Sequence, residues 1–326
     1  MKNLFKLMGI LAPLVLFNQC KTMNPKEWHP YSDLPRLNSL SEIEYPYTVH
    51  HATLSDGRSL AYVDEGRGSE TIIFIHGLGS YLPAWKKNIE GLKKHFRVIA
   101  IDLPGYGHSS KEPHSGMMSF YADVVVDFMD QLGLQQAVLA GHSMGGQISM
   151  VAAMKHPERV KRLILAAPAG FERFTEGQKQ WFRNVMTLRG VKLTSVEDIV
   201  SNLAYKFYEL PGDAEFMITD RIAMRNADDF DAYCHAEVRS VNGMVDEPVI
   251  DHLDKITQPT LILFGEKDNL IPNRLLNPGT TTEVAQAGAS RIASNKLVML
   301  PNTGHFLQYE NYRRFNEEVI SFLKPR

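Results

Sequence analysis

Six short apolar runs, each bounded by glycine, proline or a charged residue, recur through the chain: residues 71–75 (TIIFI), 97–101 (RVIAI), 137–140 (AVLA), 160–165 (VKRLIL), 260–264 (TLILF) and 297–300 (LVML). Runs rich in Val, Ile and Leu, without polar alternation, suit strands covered on both faces, as in a parallel sheet. Helical patterns separate them. Residues 83–94 open on a proline, tolerated in a first turn; 119–132 stop at Gly133, a C-terminal cap; 144–156 and 311–323 follow the third and the last run. Ahead of the first run, 47–54 and 60–64 read as two strands joined by Ser55-Asp56-Gly57-Arg58, a hairpin signal. This alternation predicts an α/β sheet with helices on both faces. One stretch breaks the rhythm. Between Gly170 and Lys255 only helical patterns occur, and in 174–186 the residues Phe174, Trp181, Phe182, Val185 and Met186 share one helix face. The organisation expected is a core in two parts, 45–169 and 256–326, with a helical cap, 170–255, inserted between them.

The first twenty residues, MKNLFKLMGILAPLVLFNQC, read as an export segment. Lys2 and Lys6 give it a positive start, and an apolar run of about eleven residues follows, too short to span a bilayer as a helix. The run stops at Cys20. It resembles a bacterial lipoprotein signal, in which cleavage precedes a cysteine that then carries the lipid, although Gln19 stands where the commonest such motif has a small residue. The resemblance implies a signal peptide over 1–19, lipidation at Cys20, a membrane partner through that anchor and a place in the bacterial cell envelope. An ordinary export signal, giving a periplasmic or secreted protein, is the alternative. Residues 20–44, with several prolines and no sustained period, read as a tether. Two cysteines in 326 residues exclude a disulfide framework, and Cys234 is expected as a small buried hydrophobe.

Charge narrows the partners. Lys and Arg number 35 against 37 Asp and Glu, a formal charge of −2, with 44% apolar residues. That balance excludes a disordered chain and leaves no basic excess for nucleic acid. There is no H-E-x-x-H, no clustered Cys/His spacing and no phosphate-binding G-x-x-x-x-G-K-[ST] loop, so no metal and no cofactor is expected.

The chemistry is concentrated in Gly141-His142-Ser143-Met144-Gly145, a G-x-S-x-G motif set between an apolar run and a helical pattern. Alone the motif is weak; the strand–turn–helix setting makes it a nucleophile elbow. Gly141, Gly145 and Gly146 keep bulk away so that strand and helix can approach closely. A serine hydroxyl needs a base. His305, in Pro301-Asn302-Thr303-Gly304-His305 just beyond the last run, is the best placed of twelve histidines. Asp268, in Gly265-Glu266-Lys267-Asp268 after TLILF, is the acid that would orient it; both sit beyond the C-terminal ends of strands, where α/β folds keep their ligands. Glu172 is a second candidate acid, while Asp102 would more naturally pin its own loop. After TIIFI comes His76-Gly77-Leu78-Gly79, a loop whose Leu78 N–H, with that of Met144, would stabilise an oxyanion. His76 would brace that loop and His142 would line the elbow. Phe171, Phe174, Trp181, Phe182 and Met186 would either cover the substrate pocket, with Gly77, His76 and His142 at its floor, or pack the cap onto the core.

HGLG, DLPGYGHS, GHSMGG, GEKDNLIP and PNTGHF together resemble the α/β-hydrolase superfamily, and more narrowly its capped esterases, lipases and carboxylesterases, over about residues 45–322. The resemblance implies a mostly parallel eight-stranded sheet, a Ser143–Asp268–His305 triad and cleavage of a small-molecule carboxylic ester through an acyl-serine. A cofactor-free haloperoxidase, a carbon–carbon bond hydrolase or a peptidase would carry the same triad. A non-catalytic surface-anchored binding protein is the rival of another class.

Overall fold

The computed structural model of the chain describes residue 31 and residues 34–324; Cys20, the expected signal peptide and the start of the tether lie outside the described residues. Within the compact unit Pro35–Arg326, the chain builds one eight-stranded sheet. Its strands are β1 (His50–Thr53), β2 (Ser59–Glu65), β3 (Thr71–Ile75), β4 (Arg97–Ile101), β5 (Ala137–His142), β6 (Val160–Ala166), β7 (Thr260–Gly265) and β8 (Asn295–Leu300). Their spatial order is β1-β2-β4-β3-β5-β6-β7-β8. Only the β1/β2 and β2/β4 pairs are antiparallel; β4 through β8 run parallel.

Burial explains the sequence pattern. Every residue of β5 and β7 is buried, and so are Ile72–Ile75 of β3 and the last four residues of β4. The edge strands are different: β1 buries one residue of four and β8 one of six. The 55–58 turn closes as expected, with Gly57 at φ +86°, a conformation glycine adopts without steric cost. Helices α1 (Lys86–Leu92), α2 (Met118–Gln131) and α3 (Met144–Lys155) connect the strands, while α9 (Thr281–Ala289), α10 (Leu307–Glu310) and α11 (Tyr312–Leu323) close the fold. The helix expected over 83–94 begins as a tight 3-10 turn, Leu82–Trp85, and becomes α-helical only at Lys86.

Between β6 and β7 no strand occurs. Five helices fill the interval: α4 (Glu176–Val185), α5 (Leu188–Lys192), α6 (Val196–Ala204), α7 (Glu215–Ala223) and α8 (Phe230–Asp246). The expected continuous helix over 174–186 starts two residues late, because Thr175 and Gln178 form a capping box at its entry. Its apolar face is not sealed: α4 has no buried residue and Val185 is 46% exposed. Cys234 on α8 is a free, fully buried thiol, and burial pushes its pKa up to about 12. The described end of the expected tether packs on the core. Leu37, Leu40 and Ile43 are buried, and Asp229 holds Leu40 N–H and the Ser39 hydroxyl. Among the described residues no helix is long and apolar enough to cross a membrane.

The junction of β5 and α3 leaves no room for side chains at its glycines. A Cβ on Gly141 would lie 2.1 Å from the Gly145 carbonyl oxygen, and one on Gly145 would lie 2.2 Å from that of Ile75. Both obstacles are backbone, which cannot rotate away. Gly141→Ala is therefore expected to destabilise the fold by about 1–3 kcal/mol, read as a lower midpoint in thermal or urea unfolding. Gly212→Ala, where a Cβ meets nothing within 4 Å, should stay within about 0.5 kcal/mol of wild type.

Candidate active site

Ser143 sits at the hinge between β5 and α3 with φ +53° and ψ −116°, a costly backbone conformation for a non-glycine residue, of order 1–3 kcal/mol. The surroundings hold it there. Its N–H donates to Ala166 O, and its carbonyl accepts from Gly146, Gln147 and Ala169 N–H. The residue is partly exposed where its neighbours are buried, and it opens onto a cavity of about 310 Å³. His305 lines the same cavity. Its Nδ1 lies 2.8 Å from Asp268 Oδ2, and both side chains are almost wholly buried. A carboxylate can only accept, so Nδ1 carries a proton, and in the neutral ring Nε2 then holds the lone pair. Asp268 is itself fixed, its Oδ1 accepting from Leu270 and Ile271 N–H at 2.8 and 3.0 Å.

The imidazole is also held through its backbone. His305 N–H donates to Lys206 O at 2.8 Å, and His142 Nε2–H donates to His305 O at 3.0 Å. Glu310 then ties the loop to the segment after α6: its carboxylate accepts from Gly304, Tyr208 and Glu209 N–H. Side chains from that segment and from α7 pack against Phe306 and Tyr309 in one cluster, with Phe207, Ala214 and Met217 buried there.

The loop after β3 comes close to Ser143. A Cβ on Gly77 would lie 3.1 Å from Ser143 Cβ, and Leu78 lines the cavity. Met144 is the first residue of α3, where N–H groups lack intrahelical acceptors. Helix N-termini favour anionic species. His76 does not reach the cavity. Its Nδ1–H donates to Gly77 O at 2.8 Å and its Nε2 accepts from Leu103 N–H at 3.1 Å, so it braces the loop from behind.

The remaining predicted positions divide. Gly77, His142, Phe174, Phe182 and Met186 line the cavity. Phe171 does not: it is 4% exposed and packs on Phe264 and against Gly288 in the core. Trp181 does not either, and rests edge-on against Phe182. Glu172 is in the cavity wall, but its partners are Asn273 N–H and the Asn277 amide, and burial raises its pKa. Asp102 accepts from Leu82 N–H, His108 N–H and the Tyr45 hydroxyl, pinning the loops around β4. Gln147, Lys206 and Glu237 also line the cavity; no motif marks them in the sequence. Among the described residues no group of three or more His, Cys, Asp or Glu side chains could hold a metal ion.

The fold and this arrangement define a hydrolase of the α/β class. Residues 70–312 match the family model described as alpha/beta hydrolase fold, and the chain belongs to that family. It is 32% identical over 279 residues to the dihydrolipoyllysine-residue acetyltransferase component of the acetoin cleaving system of Pseudomonas putida, covering 82% of this chain and 67% of that one. It is 28% identical over 285 residues to a 2-hydroxy-6-oxononadienedioate/2-hydroxy-6-oxononatrienedioate hydrolase of Burkholderia vietnamiensis, covering 83% and 93%. Among solved structures, a probable hydrolytic enzyme from Pseudomonas aeruginosa superposes with a TM-score of 0.78 at 26% identity, over 89% of this chain and 99% of that one.

Burial holds two site histidines neutral. The pKa of His142 lies well below 6.5 and that of His76 is lowered too, desolvation being the main cause for each. In the unfolded chain both protonate near 6.5, so unfolding below that pH takes up protons. Their contribution to stability is complete above pH 6.5 and falls as pH drops through it. His142→Gln should flatten that acid slope, as measured by melting temperature across pH 5–8.

Proposed function

We propose that the protein is a serine hydrolase of carboxylic esters. The observation that carries this reading is the buried Asp268–His305 hydrogen bond, on an imidazole that lines the same cavity as Ser143. In the reaction, His305 Nε2 takes the proton from Ser143 Oγ as that oxygen bonds to the ester carbonyl carbon. The negative charge developing on the carbonyl oxygen is received by the N–H groups of Leu78 and Met144. The C–O bond then breaks, and the alcohol leaves with the proton carried by His305. A water, deprotonated by the same imidazole, attacks the acyl-serine and releases the acid. Asp268 keeps the imidazole in the working tautomer and stabilises its protonated form. The helices between β6 and β7 serve as a cap, with Phe174, Phe182 and Met186 as an apolar wall over the acyl group.

A carbon–carbon bond hydrolase is the second reading, favoured by the relative named for 2-hydroxy-6-oxononadienedioate; the same serine would then attack a ketone. Turnover of diketones against simple esters separates the two. A fluorophosphonate probe should label the protein, and Ser143→Ala should abolish labelling and lower kcat by on the order of 10⁶. Asp268→Asn should cost about 10⁴, because the amide stabilises the wrong tautomer. Labelling that persists in Ser143→Ala would overturn the reading. For the anchor proposed at Cys20, intact mass of the mature protein should show a lipid on that residue, with residues 1–19 gone.

A further inference from the structure

A second cavity, of about 480 Å³, adjoins the serine cavity, and the two share Met186, Lys206, Glu237, Leu270 and Phe306 as walls. It holds polar groups that the serine chemistry leaves idle. Arg221 Nη1 and Tyr233 Oη are buried with no hydrogen-bond partner among the described residues. Glu237 Oε2 is equally unbonded, and lies 4.0 Å from Arg221 Nη2, a long contact for an ion pair. Asp220 is already engaged by the Tyr81 hydroxyl, and burial lifts its carboxyl to about 6.

Lys206 stands where the two cavities meet. Its backbone carbonyl is the one that receives His305 N–H, so the segment that carries it is bonded to the His305 loop. Its ammonium group lies 5.8 Å from the centroid of the Phe306 ring, and among the described residues no carboxylate lies within ion-pair distance of it. Burial lowers its pKa, Arg221 repels it, and Glu237 alone pulls the other way. The cavity walls carry two cations, Lys206 and Arg221, and two carboxylates, Glu237 and the Tyr81-bonded Asp220, and neither carboxylate pairs directly with Lys206. Lys206 is half-buried, a cation drawn partly out of water gains from an anionic partner, and Arg221 Nη1 and Tyr233 Oη are buried donors in the adjoining cavity.

We propose that Lys206 anchors a carboxylate carried by the substrate at the end remote from the reacting carbonyl, with Arg221 and Tyr233 as further donors. The substrate class is then the half-ester of a dicarboxylic acid, with one end at Ser143 and the anionic end at Lys206. For its kinetics this rests on the serine-hydrolase reading; for binding it does not.

Two arms test it. In the first, Ser143→Ala protein is titrated calorimetrically with monomethyl glutarate and monomethyl adipate, and with the corresponding neutral dimethyl esters. The half-esters should bind tighter by about tenfold to a hundredfold, the range of a charge-assisted hydrogen bond. Lys206→Met in the same background should bring that ratio toward one, and Lys206→Arg should keep it. In the second arm, wild-type protein hydrolyses mono-nitrophenyl esters of succinate, glutarate, adipate and suberate alongside neutral acyl esters of matching length. The kcat/KM ratio should favour the acids and invert in Lys206→Glu. Equal binding of acidic and neutral esters, or a preference that survives Lys206→Met, overturns the proposal. Binding that follows it without any Ser143-dependent turnover overturns the hydrolase reading alone, and turnover indifferent to the carboxylate overturns the carboxylate anchor alone.

Discussion

Everything at the centre of this molecule depends on one residue held in a backbone conformation it would not choose. Ser143 has φ +53° because β5 ends and α3 begins with no residues to spare. That abrupt join requires glycine on both sides, since the carbonyls of Gly145 and Ile75 occupy the space where side chains would start. The strain is offset by hydrogen bonds at both ends of Ser143's own peptide groups and by a wholly buried strand behind it. The serine is thereby presented at the sheet's C-terminal edge with its neighbours locked and its own side chain accessible. Rigid support around a strained residue is what keeps a reacting group in place.

Around this point the other groups arrive from the ends of different strands: Leu78 after β3, Glu172 after β6, Asp268 after β7 and His305 after β8. No two are close in sequence except through the sheet. Parallel pairing is what makes such a gathering possible, because every strand from β3 to β8 delivers its following loop to the same edge. The buried polar bonds then select among the candidates. Asp268 holds the imidazole, whereas Glu172, delivered to the same edge, is committed to Asn273 and Asn277.

Much of this was legible in the sequence, for a physical reason. Strands buried on both faces must be almost purely apolar, so TIIFI, RVIAI and TLILF announce themselves, and the loops that follow them inherit known positions. The edges are less legible: β1 and β8 carry exposed residues, and β1 spans 50–53 rather than 47–54 while β8 begins at 295 rather than 297. Helix α9 leaves little trace in the pattern because its small residues follow a Pro-Gly turn; its one sequence signal is the capping box of Thr280 and Glu283. Phe171 and Trp181 show the limit of reading aromatic residues as pocket walls: one packs into the core and the other against a neighbouring ring. Lys206, Glu237 and Glu310 belong to no local motif, and only the tertiary fold gives them meaning.

The Glu310 carboxylate, which clasps backbone from both the His305 loop and residues 208–209, makes one part of the helical layer inseparable from the chemistry. Lifting that strap would disturb the loop that carries His305. On another wall of the cavity α4 buries none of its residues, yet it is tied down by Gln178 Nε2–H on Leu276 O and by the Arg183–Asp246 pair.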